Sequence, residues 1–269
     1  MKDKRVLYVS SEVIPYLPET EISSMSFEAP RMVNNNGGQI RIFMPRYGNI
    51  NERRHQLHEV IRLSGMNLVI NDLDMPLIIK VASIPKERMQ VYFIDNEDYF
   101  KRKATYGDED GNFFEDNDER AIFFAKGVIE TVKKLNWSPD IIHVHGWLAS
   151  FLPLYLRNYY SNEPLFENSK IVTSVYNHGF DGTLNTELIE KIKFDGIEEE
   201  KVTDLKEPDY VSVMKVAIDN SDAVVIGSHD IPKDLENYLK KTEKPVLKYY
   251  NMEEFSEAYL DFYRSEVLV

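Results

Sequence analysis

The side chains with the means for chemistry gather at the ends of short apolar runs. His143 and His145 stand in Asp140-Ile141-Ile142-His143-Val144-His145-Gly146-Trp147. Imidazoles titrate near neutrality and commonly serve as general acids and bases. The two are read as facing opposite sides of their strand, which would keep them from acting as a pair. His145 and Trp147 fall at the strand's C-terminal end, where open α/β sheets bind ligands. His55 and His58, three residues apart, have a metal-ligand spacing, yet Arg53 and Arg54 adjoin them and no third ligand is evident. Arg46, Arg53 and Arg54 would suit an anion, although a solvated or salt-bridged surface accounts for them more simply. Glu198, Glu199 and Glu200 read as a solvated turn.

The turn after the first strand pattern carries a sharper message. Arg5 to Val13 reads as a strand, and a helix pattern occupies about residues 21–36. In a nucleotide-binding α/β domain, glycines between such elements let backbone N–H groups approach a phosphate at the helix N-terminus. Here the turn runs Ile14-Pro15-Tyr16-Leu17-Pro18-Glu19-Thr20-Glu21, with no Gly before Gly37 and no Lys. Two prolines remove N–H donors, and Glu19 and Glu21 would repel a phosphate. No Walker-type loop, Gly-x-Ser-x-Gly or His-Glu-x-x-His sequence occurs.

Composition narrows the partners. Of the 269 residues 43% are apolar, enough to bury a core in one large α/β domain or two small ones. The net charge of −13 is opposite to that of a phosphate-backbone binder, so no nucleic acid is expected. No run approaches the ~20 apolar residues of a membrane span, so no membrane is expected either. The N-terminus enters a strand pattern without a signal-peptide apolar core. The chain has no Cys, which excludes disulfides and thiolate metal sites. A cytoplasmic protein with neither metal nor cofactor is the expectation.

The elements that must position these residues alternate. Strand-like runs recur at 39–45, 66–70, 77–82, 91–95, 140–145, 170–176 and 223–227. Those between 66 and 95 read as antiparallel hairpins. The continuously apolar ones suit a parallel sheet covered on both faces. Asp116 with Glu119 predicts a capping box for a helix running to Leu135. Trp147 to Tyr160 predicts another, broken or kinked at Pro153. Tyr210–Asn220 and Ile231–Lys240 predict two more. Tyr106 to Asp118 reads as a loop. Lys240 to Pro245 reads as a linker, and Met252, Phe255, Tyr259, Phe262, Tyr263 and Val267 form the stripe of a last amphipathic helix.

Taken in order, these stretches resemble the glycogen and starch synthase family of glucosyltransferases. The opening strand, Gly38 to Ile50, Tyr92 to Asn96 with Tyr99-Phe100, and Tyr106-Gly107 carry the resemblance. Trp137 to Trp147 is its strongest part, and Tyr210 to Asp234 completes it, over roughly residues 4–240. The resemblance implies a GT-B fold, two Rossmann-like domains around a cleft. This chain is expected to hold the first, acceptor-handling half, an α/β domain with a doubly wound, mostly parallel sheet over residues 1–240. Residues 241–269 are expected to be a linker and an amphipathic helix packing back on the domain. They are similar to the helix that returns from the second domain in such folds, which implies a deleted second domain; an unrelated terminal helix covering exposed core is the other reading, and both predict docking on the domain.

Within the resemblance, the chemistry-bearing positions depart from the family. The Lys of a Lys-Thr-Gly-Gly-Leu-Gly type loop falls on Pro18, and its central glycines fall on Thr20 and Glu21. The Asp and second His of a His-Asp-Trp-His motif fall on Gly146 and Leu148, and the His of a Val-His-Asn segment falls on Tyr176. His178 lies two positions on, where a loop His with ordinary hydrogen bonds is expected. The implied chain is inactive alone and has no catalytic residues of its own. Its expected role is glucan binding or regulation in glycogen metabolism, with Tyr16, His145, Trp147, Tyr176 and Asn177 as the candidate contacts to an α-glucan. Trp147 is expected more as structure than as a sugar platform. Two alternatives stand beside this: an interaction module that holds a second copy or a protein partner through the former interdomain face, and a transferase active only with a donor-binding partner.

Overall fold

The computed structural model describes residues 1–269. Its ten strands are β1 (Arg5–Ser10), β2 (Gln39–Pro45), β3 (His58–Glu59), β4 (Met66–Ile70), β5 (Leu73–Ile84), β6 (Met89–Asp95), β7 (Ile141–His145), β8 (Lys170–Val175), β9 (Ala223–Ile226) and β10 (Val246–Leu247). They lie in the order β10-β9-β8-β7-β1-β2-β6-β5-β3, with β4 paired to β5. From β10 to β6 every pairing is parallel; β5 runs antiparallel to β6, β3 and β4. The doubly wound α/β class and the hairpins between 66 and 95 are therefore both present. β10 lies inside the 241–269 segment and extends the sheet by one edge strand.

The helices are α1 (Glu21–Asn35), the short α2 (Glu52–His55) and α3 (Glu97–Phe100), α4 (Asn117–Leu135), α5 (Phe151–Arg157), α6 (Leu188–Phe194), α7 (Tyr210–Asp219), α8 (Lys233–Leu239) and α9 (Phe255–Phe262). Right-handed crossovers decide which face each one covers. The β1–α1–β2 connection moves along the sheet in one direction. The connections through α4, α5, α7 and α8 move in the other, so those helices fall on the opposite face. Only α1 is left to cover the first face of the central strands. The chain's last segment supplies the missing cover: α9 and a π-turn at Tyr263–Val267 pack beside α1, burying Phe255, Tyr259, Phe262, Tyr263 and Val267.

Two helix starts differ from the sequence reading. Asp116 makes no side-chain cap to α4. Its carboxylate instead takes Arg102, while Glu119 accepts from Tyr99 Oη at 3.0 Å and pairs with Lys191. Tertiary partners outbid the local motif. The helix expected from Trp147 to Tyr160 is a 3-10 turn at Trp147–Ala149 followed by α5, which places Pro153 in the first turn, where a missing N–H costs nothing.

One buried ion pair ties the layers together. Lys126 Nζ of α4 lies 2.6 Å from Asp195 Oδ1 after α6 and donates to the Val69 carbonyl of β4 at 2.8 Å. Tyr155 Oη donates to the other Asp195 oxygen at 2.6 Å. Both charges are nearly inaccessible, at 3% and 7% side-chain exposure. Lys126→Met would strand the carboxylate, so it is expected to cost about 3 kcal/mol in urea unfolding. Pairing it with Asp195→Leu should recover much of that loss.

Candidate functional site

The candidate site lies at the C-terminal ends of β1, β7, β8 and β9. Here the chain leaves β1 for β2 on one side and returns through β7 on the other, the crevice where open α/β sheets place ligands. The β1–α1 turn forms one wall. Thr20 is the N-cap of α1: its hydroxyl accepts from Ser23 N–H at 3.0 Å, and Ser23 Oγ accepts from Thr20 N–H at 2.8 Å. This is a capping box with Ser in place of the usual Glu or Gln. Helix N-termini attract anions because their first N–H groups lack partners. At α1 the chain's own side chains occupy that role.

Carboxylates complete the wall. Glu12 accepts from Thr20 Oγ1 at 2.8 Å through one oxygen and from Tyr106 Oη at 3.0 Å through the other. Glu21, in the first turn of α1, accepts from Ser228 Oγ at 2.5 Å, and His178 Nδ1 lies 3.3 Å from the same oxygen. Ser228 Oγ in turn accepts from Asn177 N–H at 2.9 Å. These contacts join the loops after β1, β8 and β9. Sequence reasoning missed Glu12, Tyr106 and Ser228. Glu12 and Ser228, each two residues past a strand end, carried a positional signal.

The candidate glucan contacts divide by exposure. Asn177 is exposed. Tyr16 is buried, its ring against Phe93 and His55 at 4.9 and 5.0 Å. Trp147 is 2% exposed and enclosed by Tyr106, Phe113 and Phe180. Tyr176 is buried with its ring against Gly227, where a Cβ would stand 2.4 Å from Cε1. Leu148 is in the core. Gly146 has φ 81° and ψ 153°, and a Cβ there would lie 1.9 Å from Ser11 Oγ. Pro18 and Glu19 are exposed and Thr20 is partly so. Beside them runs a groove of about 260 Å³ lined by Glu19, Thr20, Glu21, Ser24, Tyr249 and Tyr250 among others.

The two histidines do not oppose each other across the strand. Residues two apart share a face, and the rings of His143 and His145 sit 4.1 Å apart, both fully buried. His145 Nδ1 lies 2.7 Å from Tyr176 Oη, and its Nε2 has no partner. Burial holds His145 down at about 3. Burial first, and the neighbouring His145 second, hold His143 well below the usual imidazole value. Both are neutral near pH 7, far from the match that general acid–base work requires. Of the arginines, Arg46 is committed to Asp95 at 3.0 Å and Glu52 at 3.2 Å, whereas Arg53 and Arg54 are exposed.

Residues 5–244 match the family described as the starch synthase catalytic domain. This chain belongs to that family. It is 36% identical to a glycogen synthase of Chlorobium phaeobacteroides over 226 residues, 83% of this chain and 45% of that protein. It is 39% identical to a glycogen synthase of Chlorobium limicola over 189 residues, 70% of this chain and 39% of that one. The family domain thus spans less than half the length of these curated relatives. Among solved structures it resembles the catalytic domain of starch synthase IV from Arabidopsis thaliana, bound to ADP and acarbose. That match has a TM-score of 0.74 at 17% identity, covering 93% of this chain and 52% of the other, and it establishes a shared fold. No helix of this synthase-family domain is long and apolar enough to cross a membrane.

Proposed function

We propose that this synthase-family domain does not transfer glucose from a nucleotide sugar and instead serves glycogen metabolism as a glucan-binding, regulatory domain. The N-terminus of α1 carries the reading. Thr20 and Ser23 satisfy each other's N–H groups across the N-cap. Glu12, Glu19 and Glu21 surround it with negative charge, and the prolines at 15 and 18 have no N–H to offer. A leaving diphosphate needs donors and positive charge placed where its own charge develops. This wall supplies carboxylates.

The same wall suits a neutral polyol. Sugar hydroxyls can donate to Glu19 and Glu21 while a ring face lies on Tyr249 or Tyr250, all of which line the groove. Asn177 adds an exposed amide nearby. Tyr176, packed on Gly227 of the groove and bonded to His145, supports it from within, while Tyr16 and Trp147 are packed away from it. Calorimetric titration with maltoheptaose, glycogen and ADP-glucose tests the reading. Heat from the glucans and none from ADP-glucose at millimolar concentration is expected. Binding of ADP-glucose would restore the transferase reading, and silence from all three would favour an interaction module.

A further inference from the structure

The chain's last segment is anchored in the core by one polar contact. Tyr263 Oη lies 2.5 Å from His143 Nδ1, whose Nε2 lies 2.8 Å from Ser174 Oγ on β8. Tyr8 Oη donates to the Ala29 carbonyl at 3.3 Å and stands 3.4 Å from Tyr263 Oη. A neutral imidazole has one donor and one acceptor. The arrangement that uses only short contacts has Tyr263 donating to Nδ1 and Nε2–H donating to Ser174; the reverse tautomer would send the Tyr263 proton across the 3.4 Å to Tyr8.

We propose that His143 makes the docking of α9 and its π-turn proton-gated, so that mild acid releases this segment while the rest of the sheet stays folded. A protonated His143 would present N–H at both nitrogens. Tyr263 would have to reverse its hydroxyl toward Tyr8, across a separation beyond ordinary O–H···O range. The new charge would sit among Tyr8 of β1, His145 of β7, Ser174 of β8, Tyr176 just after β8, and Tyr259 and Tyr263 of the last segment. None of these carries a compensating negative charge. Release relieves the burial on one side only, because β1 and β8 still hold β7 through their ladders.

The sign follows from burial. His143 binds its proton less readily in the docked state than in water. The released state therefore takes up the proton first, and docking weakens as pH falls through the released-state value, which one-sided burial places below the ordinary imidazole pKa of about 6.5. One titrating group gives a released-to-docked ratio rising about tenfold per pH unit. Release would also move Tyr249 and Tyr250, just upstream, from the groove they share with Glu19 and Glu21.

The chain has no Cys, so a nitroxide on Ser265→Cys, an exposed position, reports the segment alone. The expected result is a mobile spectral fraction that grows as pH falls from about 6.5 to 5, approaching tenfold per unit below the released-state pKa, with far-ultraviolet dichroism unchanged. Glutamine keeps a donor and an acceptor without titrating, so His143→Gln should hold the label immobile to pH 5. Should that variant not fold, the His143 ring resonances in the native sequence must titrate together with the label. An immobile label at pH 5, loss of label order and core structure together, the same release in His143→Gln, or a His143 titration apart from the label would each overturn the proposal.

Discussion

Gly146→Asp, which would place a carboxylate where the sequence resemblance expects one, is expected to destabilise the domain by about 5 kcal/mol or more. Three costs act together. The backbone at Gly146 has φ 81° and ψ 153°, a region closed to residues with a Cβ at a cost of about 1–3 kcal/mol. The added Cβ would lie 1.9 Å from Ser11 Oγ and 3.0 Å from Ser11 Cβ. Ser11 cannot retreat freely, since its N–H donates to the His145 carbonyl at 2.9 Å. The carboxylate would then sit beside buried, neutral His145, and an unpaired buried charge costs several kcal/mol. Total stabilities of about 5–15 kcal/mol leave little margin for this sum. Urea unfolding of Gly146→Ala and Gly146→Asp separates the backbone and steric cost from the charge. An Asp variant within about 1 kcal/mol of the parent would show that the turn relaxes and that this account of Gly146 is wrong.

Gly146, Trp147, Leu148 and Tyr176 are parts of one packed structure. Leu148 is core, the Trp147 ring is walled in by Tyr106, Phe113 and Phe180, and Tyr176 fills the space that Gly227 leaves. Reinstating one family residue meets neighbours fitted to its absence. The acidic, self-capped wall at α1 is held by Tyr106 from the segment between α3 and α4 and by the loops after β8 and β9.

What the sequence could reveal follows the range of the interactions. The parallel strands were legible because burial on both faces leaves continuous apolar runs such as Ile141–His145. The conformation of the β1–α1 turn, free of glycine and with two prolines, was legible because Pro and Gly act locally on the backbone. Exposure was not. Whether Trp147 meets solvent depends on Phe113 and Phe180 folding over it. The capping box at Asp116 failed for the same reason, as Arg102 and Lys191 reach it from other elements. The pairing of His143 with His145 lay within reach of the period-two rule and was misread. Its partner Tyr263, 120 residues away, was not.

Removing residues 252–269 is expected to lower the melting temperature by about 10 °C and to expose apolar surface that binds a hydrophobic dye. The argument rests on the asymmetry of the crossovers. Four helices, α4, α5, α7 and α8, cover one face of the sheet, while α1 alone comes from the chain's first crossover on the other. A parallel sheet requires cover on both faces, and the last segment supplies five buried side chains there. Each contributes about 1.5–3 kcal/mol of transfer free energy before the entropy of ordering the segment is set against it. The β7 ladders to β1 and β8 and the helices of the opposite face remain, so the sheet should persist at 25 °C. Tyr263→Phe separates the two contributions of the segment: it keeps the ring and leaves His143 Nδ1 without its partner, at about 1–2 kcal/mol. If the deletion leaves the melting temperature unchanged, the segment is not part of the core. If Tyr263→Phe is as damaging as the deletion, the polar anchor rather than the covered area holds the segment in place.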